Sequence, residues 1–354
     1  MKVNYPYLYL AFFLLLNIFN FVDRNLLIAF APQIKSEFNL TNVQWGLLTG
    51  VYFLFFYSVF GIFMGVLGDK FSRMKIAAAG VFLWSLMTAF TGVAKNFSHL
   101  IFARALIGVG ESALTPNAIS MLSDLFKQNQ RGTASAIYYL GIPLGVGFGM
   151  LIAAFFGPVF GWRAVFITLG LIGMGLGIVT YFLFEPRRGQ LDKSFNQDSK
   201  SASIREIISM TKSALYNSKC LTFVIIGSIF LHIPLGAGNF EVLWAVNERG
   251  FTASSYNSLF GIFFILGGTV GAVLGGVLSD RISHYFKGGV MTFLVISYLI
   301  LTPLTVSYRF ISPETNCFYL TLFFVSFNVT FFYGPVFASV QELTPVKVRS
   351  TMVA

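Results

Sequence analysis

Ten apolar stretches, each of roughly 20 residues or more, run through this chain of 354 residues and constrain its fold more than any other feature. A helix needs about 20 apolar residues to cross the hydrocarbon core of a bilayer, and only helices or closed barrels satisfy their backbone there. The series therefore predicts an all-α, polytopic membrane bundle. The stretches are 7–31, 43–67, 76–94, 99–123, 133–156, 162–184, 220–245, 256–278, 289–307 and 317–340.

Composition and charge distribution support a membrane protein. Hydrophobic residues make up 56% of the chain and charged residues 11%, against about 25% charged in soluble domains. Of the 24 Lys and Arg residues, 17 fall in segments that an inside N-terminus makes cytoplasmic and 5 in outer loops. This bias predicts a cytoplasmic N-terminus. Since the basic residues lie in short loops, the net charge of +10 does not indicate a nucleic-acid partner.

Two sequence echoes indicate an internal repeat. GVLGDKFSR at 65–73 returns as GVLSDRISH at 276–284, and DLFKQNQRGTASA at 124–136 returns as ELTPVKVRSTMVA at 342–354. Both copies fall on the cytoplasmic side, as expected of two parallel six-span repeats.

The repeat predicts a domain organisation. We expect an N-terminal six-helix bundle at 1–184, a cytoplasmic linker at 185–219 and an incomplete C-terminal bundle at 220–354. Counterparts of 137–184 would lie beyond residue 354. We therefore expect a truncated form of a twelve-span protein, with a genuine ten-span protein as the alternative.

The first and fourth apolar stretches each contain two charged residues, and a charged residue at the centre of a span costs about 2.5–3.5 kcal/mol on insertion scales. Asp23 and Arg24 belong to the first stretch, and Arg104 and Glu111 to the fourth. The two stretches run in opposite directions, so Arg24 and Arg104 should share an outer depth, with Glu111 nearer the midplane. The four charges sum to zero, as a buried cluster requires.

Two interpretations of this cluster are open. In one, the charges form a permanent ion-pair network that ties the two spans together. In the other, Asp23 or Glu111 binds a proton while Arg24 or Arg104 acts as its partner or holds a substrate anion, because a carboxylate can be protonated when its cation moves away.

The chain resembles the major facilitator superfamily at the loop with Gly65, Asp69, Lys70, Arg73 and Lys75, which is similar to that family's signature between spans two and three. Ser72 stands where many members have Gly. Further stretches resemble the bacterial Spinster-like subgroup, with the organic anion/cation symporter group as the near alternative, and this resemblance implies a bacterial inner membrane. These stretches are FVDRN (21–25), RALIGVGESALTPNAISMLSDLF (104–126), GIPLGVGFG (141–149), GWRAVF (161–166) and EPRRG (185–189).

The signature loop and its repeat predict a cytoplasmic gate. An acid at a helix end can pair with nearby bases in one conformation and separate from them in another, and Gly65 should let a neighbouring helix approach closely. The alternative is ordinary cytoplasmic positive charge with an incidental Asp. The gate candidates are Gly65, Asp69, Lys70, Arg73, Asp280 and Arg281.

Other polar residues in the apolar stretches are candidates to line a binding cavity. The seventh stretch also contains Pro234, Gly236 and Gly238, which predict a loosened helix of the kind that lines transporter sites. Hydrogen-bonded packing is the alternative role for His232, as it is for Tyr138. The cavity candidates are Asn20, Tyr138, His232, Asn239 and Asn328.

Together these features predict an alternating-access secondary transporter, proton-coupled, for a small organic anion or an amphipathic lipid-like solute. The alternative is a non-transporting membrane protein, either a receptor or an inactive fragment. An enzyme is not expected, because no nucleophile–base constellation appears. We expect no cofactor and no metal, H⁺ as the coupling ion, the lipid bilayer as surroundings, no nucleic-acid partner and a monomer.

Overall fold

The computed structural model describes residues 5–127, 130–188 and 204–343, and within these residues it is helical with no strand. The helices are α1 (Pro6–Ala29), α2 (Ala31–Glu37), α3 (Asn42–Gly46), α4 (Tyr52–Lys70), α5 (Arg73–Gly92), α6 (Phe97–Glu111), α7 (Leu114–Leu125), α8 (Arg131–Tyr139), α9 (Gly141–Phe182), α10 (Ile204–Asn217), α11 (Lys219–Ala237), α12 (Glu241–Arg249), α13 (Ala253–Ile282), α14 (Gly289–Ser307), α15 (Asn316–Phe331) and α16 (Tyr333–Leu343). A π-helical segment, Leu47–Val51, joins α3 to α4.

Eight helical runs among the described residues are long and apolar enough to cross a membrane. One of them, 131–182, holds two of the ten expected spans. Another expected span is α11, whose apolar part, Lys219–Phe230, is shorter. The all-α membrane bundle expected from the sequence is thus observed.

The chain reverses direction at Gly161, inside α9. Gly161 has φ 75° and ψ 160°, a conformation that is open almost only to glycine. Past this point the helix runs antiparallel to α1, because the Phe30 ring packs on Phe166 and the Tyr9 hydroxyl donates to the Phe184 carbonyl. Gly161 therefore separates the fifth and sixth spans.

Close approach through glycine holds the first bundle, α1–α9, together. A Cβ added at Gly145 would lie 2.5 Å from the Ile18 carbonyl oxygen of α1, and one at Gly170 would lie 2.6 Å from the Ser85 oxygen of α5. Such small-residue contacts let membrane helices pack at backbone distance. The two halves of α9 thus lie against α1 and α5.

The second bundle, α10–α16, uses the same device. In α13, Gly267 and Gly271 face the backbone carbonyls of Phe323 and Phe327 in α15. Phe293 of α14 adds a tilted ring contact with α15, and α11 packs on α16.

The two bundles meet at one end, which we call the closed face. Among the described residues, three hydrogen bonds join the bundles, from Trp45 Nε1 to the Asn239 carbonyl (2.9 Å), from Asn257 Nδ2 to the Ala29 carbonyl (2.9 Å) and from Ser254 Oγ to the Ala154 carbonyl (2.7 Å). One apolar core at this end is built from both bundles, whereas the other cores each belong to one bundle. The bundles are therefore closed at this face and less connected at the other.

Replacing Gly145 by Ala should destabilise the bundle by about 1–3 kcal/mol, the usual cost of overpacking. The added methyl group would collide with the Ile18 oxygen and with Phe21 Cβ, both at 2.5 Å. Gly175→Ala is the matched control, since no described atom lies within 4 Å of a Cβ at that position. Melting temperatures in detergent would test this prediction; equal values for the two variants would contradict it.

Candidate functional site

An ion pair between α1 and α6 forms the centre of the candidate site. Arg24 Nε lies 2.5 Å from Glu111 Oε2; the Glu111 side chain is fully buried, and the Arg24 side chain is 20% exposed. Gly108 brings α6 against α4, because a Cβ there would lie 2.7 Å from the Phe53 carbonyl oxygen. The glycine thus packs α6 on α4, whose Phe53 and Tyr57 rings also contact Arg24.

Aromatic rings enclose the two intramembrane arginines. The Arg24 guanidinium lies 4.5 Å from the Tyr57 ring centroid, 4.8 Å from Phe53 and 5.0 Å from Phe21, and the Arg104 guanidinium lies 4.4 Å from Phe53. Such cation–π contacts stabilise a guanidinium where water is scarce. Arg104 is buried, and its Nε has no hydrogen-bond partner among the described residues. The site therefore retains an unused donor.

Asp23 faces away from this pair, toward α5. The Thr88 hydroxyl donates to Asp23 Oδ2 at 2.6 Å, while Oδ1 accepts no hydrogen bond from the described residues. Asp23 and Ser85, whose hydroxyl is likewise unpartnered in the described chain, line one small cavity together with Thr88. Of the two intramembrane carboxylates, Glu111 has an arginine partner and Asp23 has a hydroxyl partner.

Two further candidates on the first bundle are buried near this centre. Asn20 is 3% exposed on α1. The Tyr138 side chain is buried, its hydroxyl lies 3.1 Å from Thr115 Oγ1, and its carbonyl accepts a hydrogen bond from Asn17. Their roles in binding remain predictions.

The candidates on the second bundle lie in different surroundings. The exposed His232 ring packs edge-on against Phe332 and Tyr333, with its Nδ1 2.7 Å from the Ser228 oxygen. Tyr333 also stacks on Phe332, so the three rings form one aromatic cluster at the start of α16.

The other two candidates on the second bundle lie elsewhere. Asn328 Oδ1 is buried and accepts no hydrogen bond among described residues. Asn239 belongs to the 3-10 turn Gly238–Phe240 at the closed face, where its carbonyl accepts from Trp45.

The signature loop leads into a buried charge cluster around Arg73. Its guanidinium donates to Asp124 Oδ2 (2.5 Å), Ser120 Oγ (2.9 Å), Glu185 Oε1 (2.9 Å) and the Pro186 carbonyl (3.0 Å). Burial raises the pKa of Glu185, but hydrogen bonds from Ser72 and Arg73 outweigh it, so the pKa lies below its ordinary value. This cluster ties the start of the linker to the first bundle.

The remaining gate candidates contribute less in this conformation. Lys70, Asp280 and Arg281 are exposed, and the side chain of Asp69 lies outside the described part of the structure. The expected close helix approach at Gly65 is wrong here, because no described atom lies within 4 Å of a Cβ at that position. The tight glycine of this loop is Gly68, whose Cβ position overlaps the Asn117 side chain of α7.

Sequence reasoning missed the partners in two charged clusters. Asp124 belongs to the motif at 104–126 and Glu185 to EPRRG at 185–189, but no spacing rule connects either of them to Arg73. Glu241 is an acid in the seventh apolar stretch, but no local pattern marks it as a site residue. In the structure it is 5% exposed and bonded to Arg309 and two tyrosines. Charged pairs between distant segments of the chain become apparent only in the three-dimensional structure.

Two helical bundles around buried, paired charges define the class of polytopic membrane proteins to which secondary transporters belong. The chain belongs to the Major Facilitator Superfamily, whose profile matches residues 13–354. The resemblance to this superfamily, and the expectation of a transporter family rather than an enzyme family, are therefore confirmed.

The chain is similar to spinster proteins. Protein spinster of Drosophila melanogaster is 28% identical over 304 residues, which cover 81% of this chain and 48% of the relative. The sphingosine-1-phosphate transporter SPNS2 of Danio rerio is 28% identical over 273 residues, which cover 74% of this chain and 54% of the relative. The chain thus spans about half the length of these curated relatives.

A solved structure shares the fold. The crystal structure of a bacterial homologue of the human lysosomal transporter Spinster, inward-facing and unoccupied, matches with a TM-score of 0.83. The match covers 100% of this chain and 78% of that chain at 24% sequence identity. The Spinster-like fold expected from the sequence is thus confirmed.

Replacing Arg73 by Ala should lower the free energy of unfolding by about 3–5 kcal/mol, because it removes the cation of a buried pair with Asp124. Lys70→Ala is the control: the same loss of positive charge from the same motif, at an exposed side chain. Thermal unfolding of both variants in one detergent would measure the difference. A similar loss of stability in both would contradict the structural role of the Arg73 cluster.

Proposed function

We propose that this protein is a secondary transporter that works by alternating access and binds the anionic group of its substrate at Arg24 and Arg104. The observation that carries this proposal is the buried Arg24–Glu111 pair beside Arg104, whose Nε has no described hydrogen-bond partner. With Asp23 and Glu111 both ionised, the four intramembrane charges sum to zero, and protonation of either carboxylate leaves one positive unit at the arginines. An entering carboxylate or phosphate would neutralise that charge and accept a hydrogen bond from Arg104 Nε.

Two substrate classes fit this site, a small organic anion and an amphipathic, lipid-like anion. The rings of Phe53 and Tyr57 beside the arginines suit an apolar portion next to the charged group. A relative bears the name of a sphingosine-1-phosphate transporter. That molecule joins a phosphate to a long alkyl chain, which favours the lipid-like class for this chain.

Proton coupling is part of the proposal. When a substrate anion binds Arg24, Glu111 loses its cation, and an uncompensated buried carboxylate is costly. Uptake of a proton by Glu111 removes that cost, so substrate binding and proton binding become linked. Asp23, held by the Thr88 hydroxyl alone among the described contacts, is the second candidate proton site.

The closed face gives the proposed cycle its starting state. Bundles that touch at one end can rock about the central site so that the other end closes and this one opens. We propose that the closed face is the outer one, that the N-terminus is cytoplasmic in a bacterial inner membrane and that the protein acts as a monomer. The excess of Lys and Arg in the predicted cytoplasmic loops supports this orientation.

Transport assays in proteoliposomes test the function. We expect accumulation of labelled sphingosine-1-phosphate, a lysophospholipid or a small organic acid that increases when a pH gradient is imposed. Accumulation of all three at the level of empty liposomes would favour the alternative of a non-transporting membrane protein. Accumulation that ignores the gradient would retain transport and reject proton coupling.

Glu111→Gln and Asp23→Asn should each abolish gradient-driven transport while leaving expression intact, because each removes a proton site without changing side-chain shape. Arg24→Ala should weaken anion binding by at least about tenfold, the value of one hydrogen bond to a charged group. Initial rates against pH gradient and substrate concentration would measure both effects. Glu37→Gln, on a carboxylate whose observed partners are Trp162 and Arg163, is the control and should transport normally. Wild-type proton dependence in both carboxylate variants would overturn the coupling scheme.

A further inference from the structure

Glu241, the first residue of α12, is the centre of a second buried charge network. Its carboxylate accepts hydrogen bonds from the Tyr256 hydroxyl (2.6 Å), the Tyr308 hydroxyl (2.7 and 2.8 Å) and the Arg309 guanidinium (2.8 Å). The Glu241 side chain is 6% exposed. These donors come from α13 and from the segment after α14, so one carboxylate joins three parts of the second bundle.

The network sits directly behind the contacts that close the bundles. The seventh span breaks after α11, and the turn Gly238–Phe240 leads into Glu241. Within that turn, the Asn239 carbonyl accepts from Trp45, and the Phe240 ring faces Gly46. The helix α12 then packs against α1 and α2 of the first bundle. Glu241 thus anchors the start of α12, directly after the turn that contacts the first bundle at the closed face.

A stack of aromatic and cationic groups extends the network toward the surface. The Arg309 guanidinium lies 4.9 Å from the ring centroids of both Trp244 and Tyr308, and Arg249 lies 5.4 Å from Trp244. Arg249 also donates to the carbonyl of Ile311. Two arginines therefore hold Trp244 on α12 against the loop that follows α14, which makes α12 part of one rigid unit.

We propose that Glu241 is a positioning residue of the gate at the closed face, and that its network sets the equilibrium between the two access states. The proposal rests on the alternating-access function proposed above and adds a determinant to it. The 3-10 turn Gly238–Phe240 between α11 and α12 has poorer hydrogen-bond geometry than an α-helix, so another support is needed to hold Asn239 and Phe240 against the first bundle. The Glu241 carboxylate supplies that support from three sides.

A network that only stabilised the fold would have a different signature. Buried ion pairs are often no more stabilising than apolar residues of similar volume, so stability alone does not account for such a carboxylate. Loss of a positioning residue shifts the ratio of access states in folded protein, whereas loss of a purely structural residue lowers the amount or stability of folded protein. The two roles are thus separable by measuring conformation.

The test is a distance measurement across the closed face by double electron–electron resonance, with purified protein in lipid nanodiscs. Cys317 is free and exposed on the second bundle, and Val43, 72% exposed, offers a label site on the first through Val43→Cys. Cys220→Ser removes the other cysteine. We expect Glu241→Gln to raise the ratio of long to short label distances by roughly fivefold or more over the labelled parent. Tyr308→Phe, which removes one donor, should shift the ratio less and in the same direction.

The matched control is Glu248→Gln, which removes an exposed carboxylate from the same helix, α12, and should leave the distances unchanged. If Glu241→Gln does not fold, the Tyr308→Phe measurement decides. Distances equal to those of the labelled parent in the folded variants would overturn the proposal. The outcome is independent of the transport assay, because a protein that fails to transport in liposomes can still show or lack the shift in distances.

Discussion

The rest of the structure depends on placing ionised side chains in a medium that solvates them poorly. Asp23, Arg24, Arg104 and Glu111 lie at membrane depth, and each would be costly alone. Direct pairing of Arg24 with Glu111, ring faces around both guanidinium groups and a hydroxyl on Asp23 reduce that cost. The helices must approach closely enough for these short side-chain contacts to form. The arrangement of the charges therefore depends on the glycine-mediated packing.

Close packing in turn determines where the bundles can separate. Glycines in α9 and α13 bring these helices together across the bundle boundary, as Gly147 and Gly261 show by facing each other's backbone. These contacts continue to the closed face, where side chains of both bundles share one apolar core. At the other end the cores belong to single bundles. The interface is therefore continuous near one face only, which is the asymmetry that alternating access requires.

The sequence predicted those features that follow from local patterns. Apolar length predicted the membrane bundle, and the glycine and GWR motif at Gly161 lay between two predicted spans. Opposite span direction predicted that Arg24 and Arg104 share a depth with Glu111 nearer the midplane, but it did not indicate that Arg24 is the arginine that pairs with Glu111. Adjacent helical residues point about 100° apart, so Asp23 and Arg24 face different neighbours. Spacing could not predict that the neighbour of Asp23 is Thr88. The Arg73 and Glu241 networks join segments whose proximity arises only from the tertiary fold.

The two networks differ in how completely their hydrogen bonds are satisfied. Beside Glu111, Arg104 Nε has no hydrogen-bond partner among the described residues, whereas both Glu241 oxygens accept hydrogen bonds. Buried polar groups without partners are expensive and can be satisfied by a ligand or a proton, while a saturated network resists both. The unsatisfied network therefore has the chemistry of a site that changes state, and the saturated one has the chemistry of a support. Their positions agree with this division: the first lies inside the first bundle among the rings around Arg24 and Arg104, and the second lies next to the contacts that join the bundles at the closed face.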